Sequence, residues 1–150
     1  MKKKEIFWLI GTLILTLILV YLVFDLDSLK PESTTDINIH DTYFVIPTSY
    51  FLILFCVLIF FGVYLIRMLK RNFKNKTVNL IFLIANILLV LKLTQMISIL
   101  NAFAQIGGTD GSIGNGLRTF SDVFLVIQLL LLVLLTFSGI KTGLNYKQTN

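Results

Sequence analysis

A chain of 150 residues with 56% hydrophobic and 14% charged side chains lies outside the range of soluble globular domains. Its one cysteine excludes a disulfide framework, and its one histidine excludes chemistry that needs several imidazoles. The formal charge of +5 would suit nucleic acid only with aromatic residues interleaved among the bases, and those are absent, so the lipid bilayer is the expected main solvent.

A helix needs about 20 mostly apolar residues to cross the hydrocarbon. Four segments meet that length: residues 6–24, 49–69, 78–100 and 120–140. The expectation is an all-α membrane protein, a single four-helix transmembrane domain over residues 1–150. Ten of the thirteen Lys and Arg fall into three groups: Lys2, Lys3 and Lys4; Arg67, Lys70, Arg71, Lys74 and Lys76; and Lys141 and Lys147. Four spans place all three on one side. By the positive-inside rule that side is cytoplasmic, giving N-in and C-in, with loops 25–48 and 101–119 outside. Seven of the eight acids then lie outside or at the outer interface, opposed there by Lys30 and Arg118. A basic balance of this kind reports orientation and some attraction to anionic lipid heads.

The first span follows three lysines like a secretory signal, but its 19-residue apolar run ends without a small-residue cleavage site. It is read as a retained anchor. Thr12, Thr16 and Gly11 in it make no stripe comparable to that of the third span.

Residues 25–46 begin with turn and breaker residues and then alternate, with many β-branched side chains. An extended outer loop before the second helix is expected, with Asp36, Asn38, His40 and Thr42 on one side and Ile37, Ile39, Asp41 and Tyr43 on the other. Pro47 suits the first turn of the second helix.

The run Asp36-Ile37-Asn38-Ile39-His40-Asp41-Thr42-Tyr43-Phe44-Val45-Ile46 resembles the loop ahead of a haem-bearing helix in subunit I of haem-copper (cytochrome c) oxidases. That family reads D-x-x-x-H-D-T-Y-[YF]-V-V-A-H-F-H. The resemblance is strong over residues 36–50 and extends loosely through the second helix to Arg71. Where the family has its haem-ligating histidines, this chain has Thr48 and Tyr50. The resemblance implies an outer location for the loop, as the charge rule does independently. It also implies a non-redox divalent ion near the pair matched by His40 and Asp41, and a place near haem propionates for the position of Asp36. Two ligands do not complete a shell for magnesium or another divalent ion, which keeps several waters. The alternative is that His40 and Asp41 pair with each other or with backbone and stiffen the loop.

The second span carries Tyr50, Phe51, Phe55, Phe60, Phe61 and Tyr64, which reads as packing surface because no second imidazole, paired methionine or thiolate is placed to ligate iron. Cys56 within it reads as a small buried apolar residue.

On the third span Lys92 falls about 21 Å from the cytoplasmic start at about 1.5 Å per residue. A lysine at that depth costs several kcal/mol unless it snorkels, pairs or meets water. Its side chain leans toward the helix N-terminus, away from the nearer face, so pairing with Asp122, Asp41 or Asp36 is expected. Thr94, Ser98, Asn101 and Gln105 draw one polar stripe toward the outer end, with Asn86, Gln95 and, on the fourth span, Gln128 adding amides. Such groups more often join helices than line pores. Residues 105–117 hold five glycines without the lysine of a phosphate-binding loop, and read as a flexible turn.

Oxygen reduction in the resembling family takes several histidines for two haems and a copper, and one cannot supply them. Nucleophile constellations are missing from the spans as well. The expected function is therefore non-catalytic: a truncated relative of the oxidase subunit I helix pair, without haem, acting as a structural or accessory component among other membrane subunits or as a homo-oligomer. The alternatives are a small oligomeric transporter or pore using Lys92 and the third-helix stripe, and an outer-surface metal binder at His40 and Asp41. The Ile-, Leu-, Asn- and Lys-heavy usage fits a bacterial inner membrane.

Overall fold

Inside a bilayer every backbone polar group must find its partner within the protein, and the helix does this segment by segment. Four helices carry this chain: α1 (Lys3–Val23), α2 (Thr48–Lys70), α3 (Lys76–Ile106) and α4 (Ser112–Lys147). A 3-10 turn (Leu26–Leu29) and a two-stranded antiparallel hairpin, β1 (Thr34–Ile39) and β2 (Thr42–Pro47), stand between α1 and α2. This computed structural model describes residues 3–30, 32–39, 42–106 and 112–147. All four helices are long and apolar enough to cross a membrane.

The main helix contacts join sequence neighbours: α1 with α2, α2 with α3, and α3 with α4 most extensively. The buried face of α1 holds Glu5, Thr12, Thr16 and Val20. Small hydroxyl residues let backbones approach, and Thr12 and Thr16 satisfy their own hydroxyls by donating to the carbonyls of Trp8 and Thr12, each at 2.8 Å. Hydropathy counts apolar residues and misses which narrow face turns inward.

Between α2 and α3 the core is Tyr64, Met68, Phe73, Val78 and Phe82. Phe61 meets Phe82 at 5.4 Å between ring centroids, and Phe60 stacks on Tyr64 at 6.3 Å. The aromatic residues of the second span thus pack against neighbours. Farther along, Leu89 and Leu93 of α3 pack with Leu131 of α4.

The α2–α3 turn has no glycine, yet Asn72 and Phe73 adopt positive φ of 45° and 61°. A left-handed residue with a side chain costs about 1–2 kcal/mol. Burial offsets this at Phe73, whose ring meets Phe137 edge-on at 6.0 Å while its carbonyl accepts from Asn79 Nδ2 at 2.7 Å and Asn145 Nδ2 at 3.2 Å.

The third and fourth helices overrun the apolar spans. At 31 residues and about 1.5 Å each, α3 is about 46 Å long, against about 30 Å of hydrocarbon. Gly114 and Gly116, expected in a flexible turn, lie within α4. The helices continue because Leu117 is buried against Ala104, with Leu100 and Phe103 around them.

The extended outer segment is a paired hairpin. Its register sets Asp36 against Val45, Asn38 against Tyr43 and Ile39 against Thr42. Chain reversal therefore breaks the alternation expected of one continuous strand, which had grouped Thr42 with Asp36 and Asn38. Pro47 ends β2 and precedes the first helical residue, Thr48, rather than entering the helix. A proline is tolerated at a strand end because the ladder asks no donor of it there.

Candidate functional site

Two places gather polar side chains, one at each end of the helix array. At the basic end, Glu5 near the start of α1 is 2% exposed and meets the C-terminal turn of α2. Its Oε2 accepts from Arg67 Nη2 at 2.6 Å, and its Oε1 accepts from Arg71 Nη1 at 2.9 Å and from Asn75 Nδ2 at 2.8 Å. Asn75 is shared: its Oδ1 accepts the backbone N–H of Thr77 at 3.1 Å and of Val78 at 3.4 Å, capping α3. Arg67 also lies over the rings of Trp8 at 4.6 Å and Tyr64 at 5.2 Å, and its Nη1 makes no hydrogen bond. One carboxylate thus fixes the ends of three helices. Glu5 is the eighth acid, the one on the basic side. A lone acid inside a basic cluster was the available signal.

The same end receives α4. Lys76 lies 3.7 Å above the Tyr146 ring and Lys141 5.3 Å from the rings of both Phe73 and Phe137. Among the described residues, Lys4 at the start of α1, the bases from Arg67 to Lys76 and Lys141 of α4 therefore gather at one end of the array.

At the opposite end the hairpin is tied down by hydroxyls. The Thr35 and Thr48 hydroxyls are 2.9 Å apart, the Thr48 N–H donates to the Ser33 carbonyl at 3.0 Å, and the Ser33 hydroxyl donates to the Ser28 carbonyl at 2.7 Å. Ile46 and Thr48 are buried. Thr48 is thus committed to holding the hairpin on α2. Phe24 and Phe55, in T-shaped contact at 5.7 Å, join the end of α1 to the start of α2.

Among the described residues Lys92 pairs with no acid, and Asp41, one of its expected partners, lies outside them. The Lys92 Nζ donates to Gln95 Oε1 at 2.9 Å and lies 5.9 Å from the Tyr50 ring. The ion pairs among the described residues are Lys30–Asp27, Arg67–Glu5 and Arg71–Glu5. Gln95 stands nearly one turn closer to the acidic end, so the side chain turns toward that end against the usual lean of a helical residue. A local amide one turn away costs no rearrangement, whereas Asp36 and Asp122 lie exposed elsewhere. Gln128 of α4 donates to the Thr94 hydroxyl at 2.9 Å, and Asn86 donates to the Leu131 carbonyl at 3.2 Å, so both amides join α3 to α4 as expected. Thr94, Gln95, Ser98, Asn101 and Gln105 remain exposed on α3.

His40 and Asp41, the expected metal ligands, lie outside the described residues. Among the described residues no group of three or more His, Cys, Asp or Glu could hold a metal ion. Between α2 and α3 a cleft of about 320 Å³ is lined by Cys56, Val57, Phe60, Ile81, Ala85 and Leu88, an apolar set without catalytic groups.

Fold and polar sites together define an all-α membrane protein of four spans with a small hairpin at one end. Comparison of the chain with family models, with curated proteins and with solved structures gives no match in any of the three.

Proposed function

We propose that this chain is a non-catalytic component of a larger membrane assembly, a truncated relative of the oxidase subunit I helix pair that keeps the outer loop without the haem ligands. Its basic end faces the cytoplasm. The observation that carries the assembly role is the exposed face of α3. Toward the basic end that face is apolar, with Leu80, Ile84, Ile87, Leu88 and Leu91 exposed, and toward the hairpin end it turns polar at Thr94, Gln95, Ser98 and Asn101. Lipid suits the first half. The second half is costly against acyl chains and well suited to hydrogen bonds with a neighbouring helix.

The commitment of Thr48 to Thr35 supports the rest of the reading, since the position that would ligate iron serves the hairpin. The rival is an oligomeric pore lined by the same stripe. Lys92→Met separates the two. In native electrophoresis from mild detergent the variant of a scaffold changes its assembled size, and vesicles holding wild-type protein pass no more potassium or protons than empty ones. Flux that disappears in Lys92→Met while assembly is intact would establish the pore instead. An absorbance spectrum of the purified protein should show no Soret band.

A further inference from the structure

At the basic end, α1 and α2 leave an open cleft of about 320 Å³ lined by Trp8, Val63, Ile66, Arg67, Lys70 and Arg71. We propose that it binds an anionic phospholipid, with the phosphate between Lys70 and Arg71, beside the charge of Arg67, and an acyl chain along Ile66, Val63 and the indole of Trp8.

Charge makes the case for an anion. Three cations line the cleft, and the carboxylate beside them, Glu5, already accepts from Arg67, Arg71 and Asn75, so a net positive charge is left for an incoming group. Arg67 is 7% exposed and held by Glu5 beneath the Trp8 ring, so it lends the cleft its charge, while the donors that reach an incoming phosphate come from its neighbours. The Arg71 side chain is 43% exposed and keeps donors beyond the one given to Glu5. Arginine forks match phosphate geometry, and lysine adds a mobile point charge. The Glu5 contact fixes both guanidiniums in place before any ligand arrives.

The apolar half of the lining argues for a lipid over free phosphate. Ile66 is 55% exposed and Trp8 52% exposed, on helix surfaces that turn toward the bilayer. Both lie a turn or less from the cations, the depth at which a lipid passes from headgroup to acyl chain and at which tryptophan prefers to sit. A free anion would gain nothing from that surface. The proposal is independent of the role of the chain in an assembly.

Native mass spectrometry of the whole chain in detergent tests it, with phosphatidylglycerol and phosphatidylcholine offered at equal concentration. Phosphatidylglycerol should be retained several-fold more. Lys70→Gln and Arg71→Gln, at exposed positions that spare the Arg67–Glu5 pair, should each lower its retention about five-fold. Ile66→Ser should lower retention of the lipid while leaving headgroup discrimination in place. Equal retention of the two lipids, or unchanged retention in both Gln variants, overturns the site. Displacement of phosphatidylglycerol by millimolar inorganic phosphate would assign the cations to a free anion, and displacement by an acidic peptide would assign them to a protein partner; either result overturns the lipid.

Discussion

Glu5 and Arg67 stand 62 positions apart and meet at 2.6 Å, with 3% and 8% of their side chains exposed. A buried pair of this kind gains little over a well-packed apolar pair, but removing one member leaves the other charged and unpaired, which costs about 3–5 kcal/mol. Glu5→Ala should therefore lower the thermal midpoint in detergent sharply, and Glu5→Gln less so. The double variant Glu5→Ala with Arg67→Met should recover much of the loss because no charge is left buried. Circular dichroism melts of the wild type, Glu5→Ala, Arg67→Met and the double variant form the cycle. Additive losses would remove the pair from any account of stability.

Asn86 is fully buried, and its Nδ2 donates to the Leu131 carbonyl while its Oδ1 has no partner. Leucine at this position discards an unsatisfied acceptor together with one bond worth about 0.6–2 kcal/mol, so Asn86→Leu should be close to neutral. Asn86→Asp replaces the donor with a group that repels the carbonyl, and it should destabilise the α3–α4 contact well beyond the leucine variant. Unfolding in mixed micelles would rank the two, and the reverse order would show that this bond does not join the helices.

How much of this the sequence discloses depends on the range of the interaction. The four spans are legible because hydropathy sums over about 20 neighbouring residues and needs no knowledge of packing. The gathering of Arg67, Lys74 and Lys141 at one end follows from span parity alone. Strand character over Thr34–Ile39 and Thr42–Pro47 is legible in alternation, but the reversal that sets Ile39 against Thr42 is a pairing event, and an even alternation carries no mark of it. Glu5 with Arg67 and Thr35 with Thr48 are contacts of helix on helix and strand on helix, so no local pattern announces them. At Lys92 the described residues offer a nearer partner than Asp36 or Asp122. Charge complementarity points to distant carboxylates, while the neutral Gln95 three residues on supplies an acceptor at no cost in chain arrangement.

The Thr35–Thr48 contact anchors a hairpin that forms a two-stranded sheet among the described residues. A hairpin alone is marginal in water, so its protection depends on what ties it down. Thr48→Val removes a hydroxyl pair worth about 0.5–1.5 kcal/mol and should speed amide exchange across β1 and β2 several-fold while α2 to α4 exchange as before. Mass-spectrometric exchange on peptides from this region reads the difference. Unchanged protection would place the anchoring elsewhere, with Ile46 the next candidate.

Orientation is testable through the two exposed ends. Asp27 follows α1, and Lys74 follows α2; both are exposed, and a full helix separates them. In a Cys56→Ser background, Asp27→Cys and Lys74→Cys should react with a membrane-impermeant thiol reagent from opposite sides, Asp27→Cys in right-side-out vesicles and Lys74→Cys in inverted ones. The asymmetry rests on transfer of charge. Carrying the five bases between Arg67 and Lys76 to the far side opposes the rule that holds Lys and Arg in short cytoplasmic loops, whereas the acids around Asp25 and Asp27 cross with little resistance. Substituting Lys70, Lys74 and Lys76 with Gln should therefore give a mixed population, part of it labelled at Asp27→Cys from the inverted side. Labelling of both wild-type positions from one face would mean that α2 does not cross, and the four-span arrangement would fall with it.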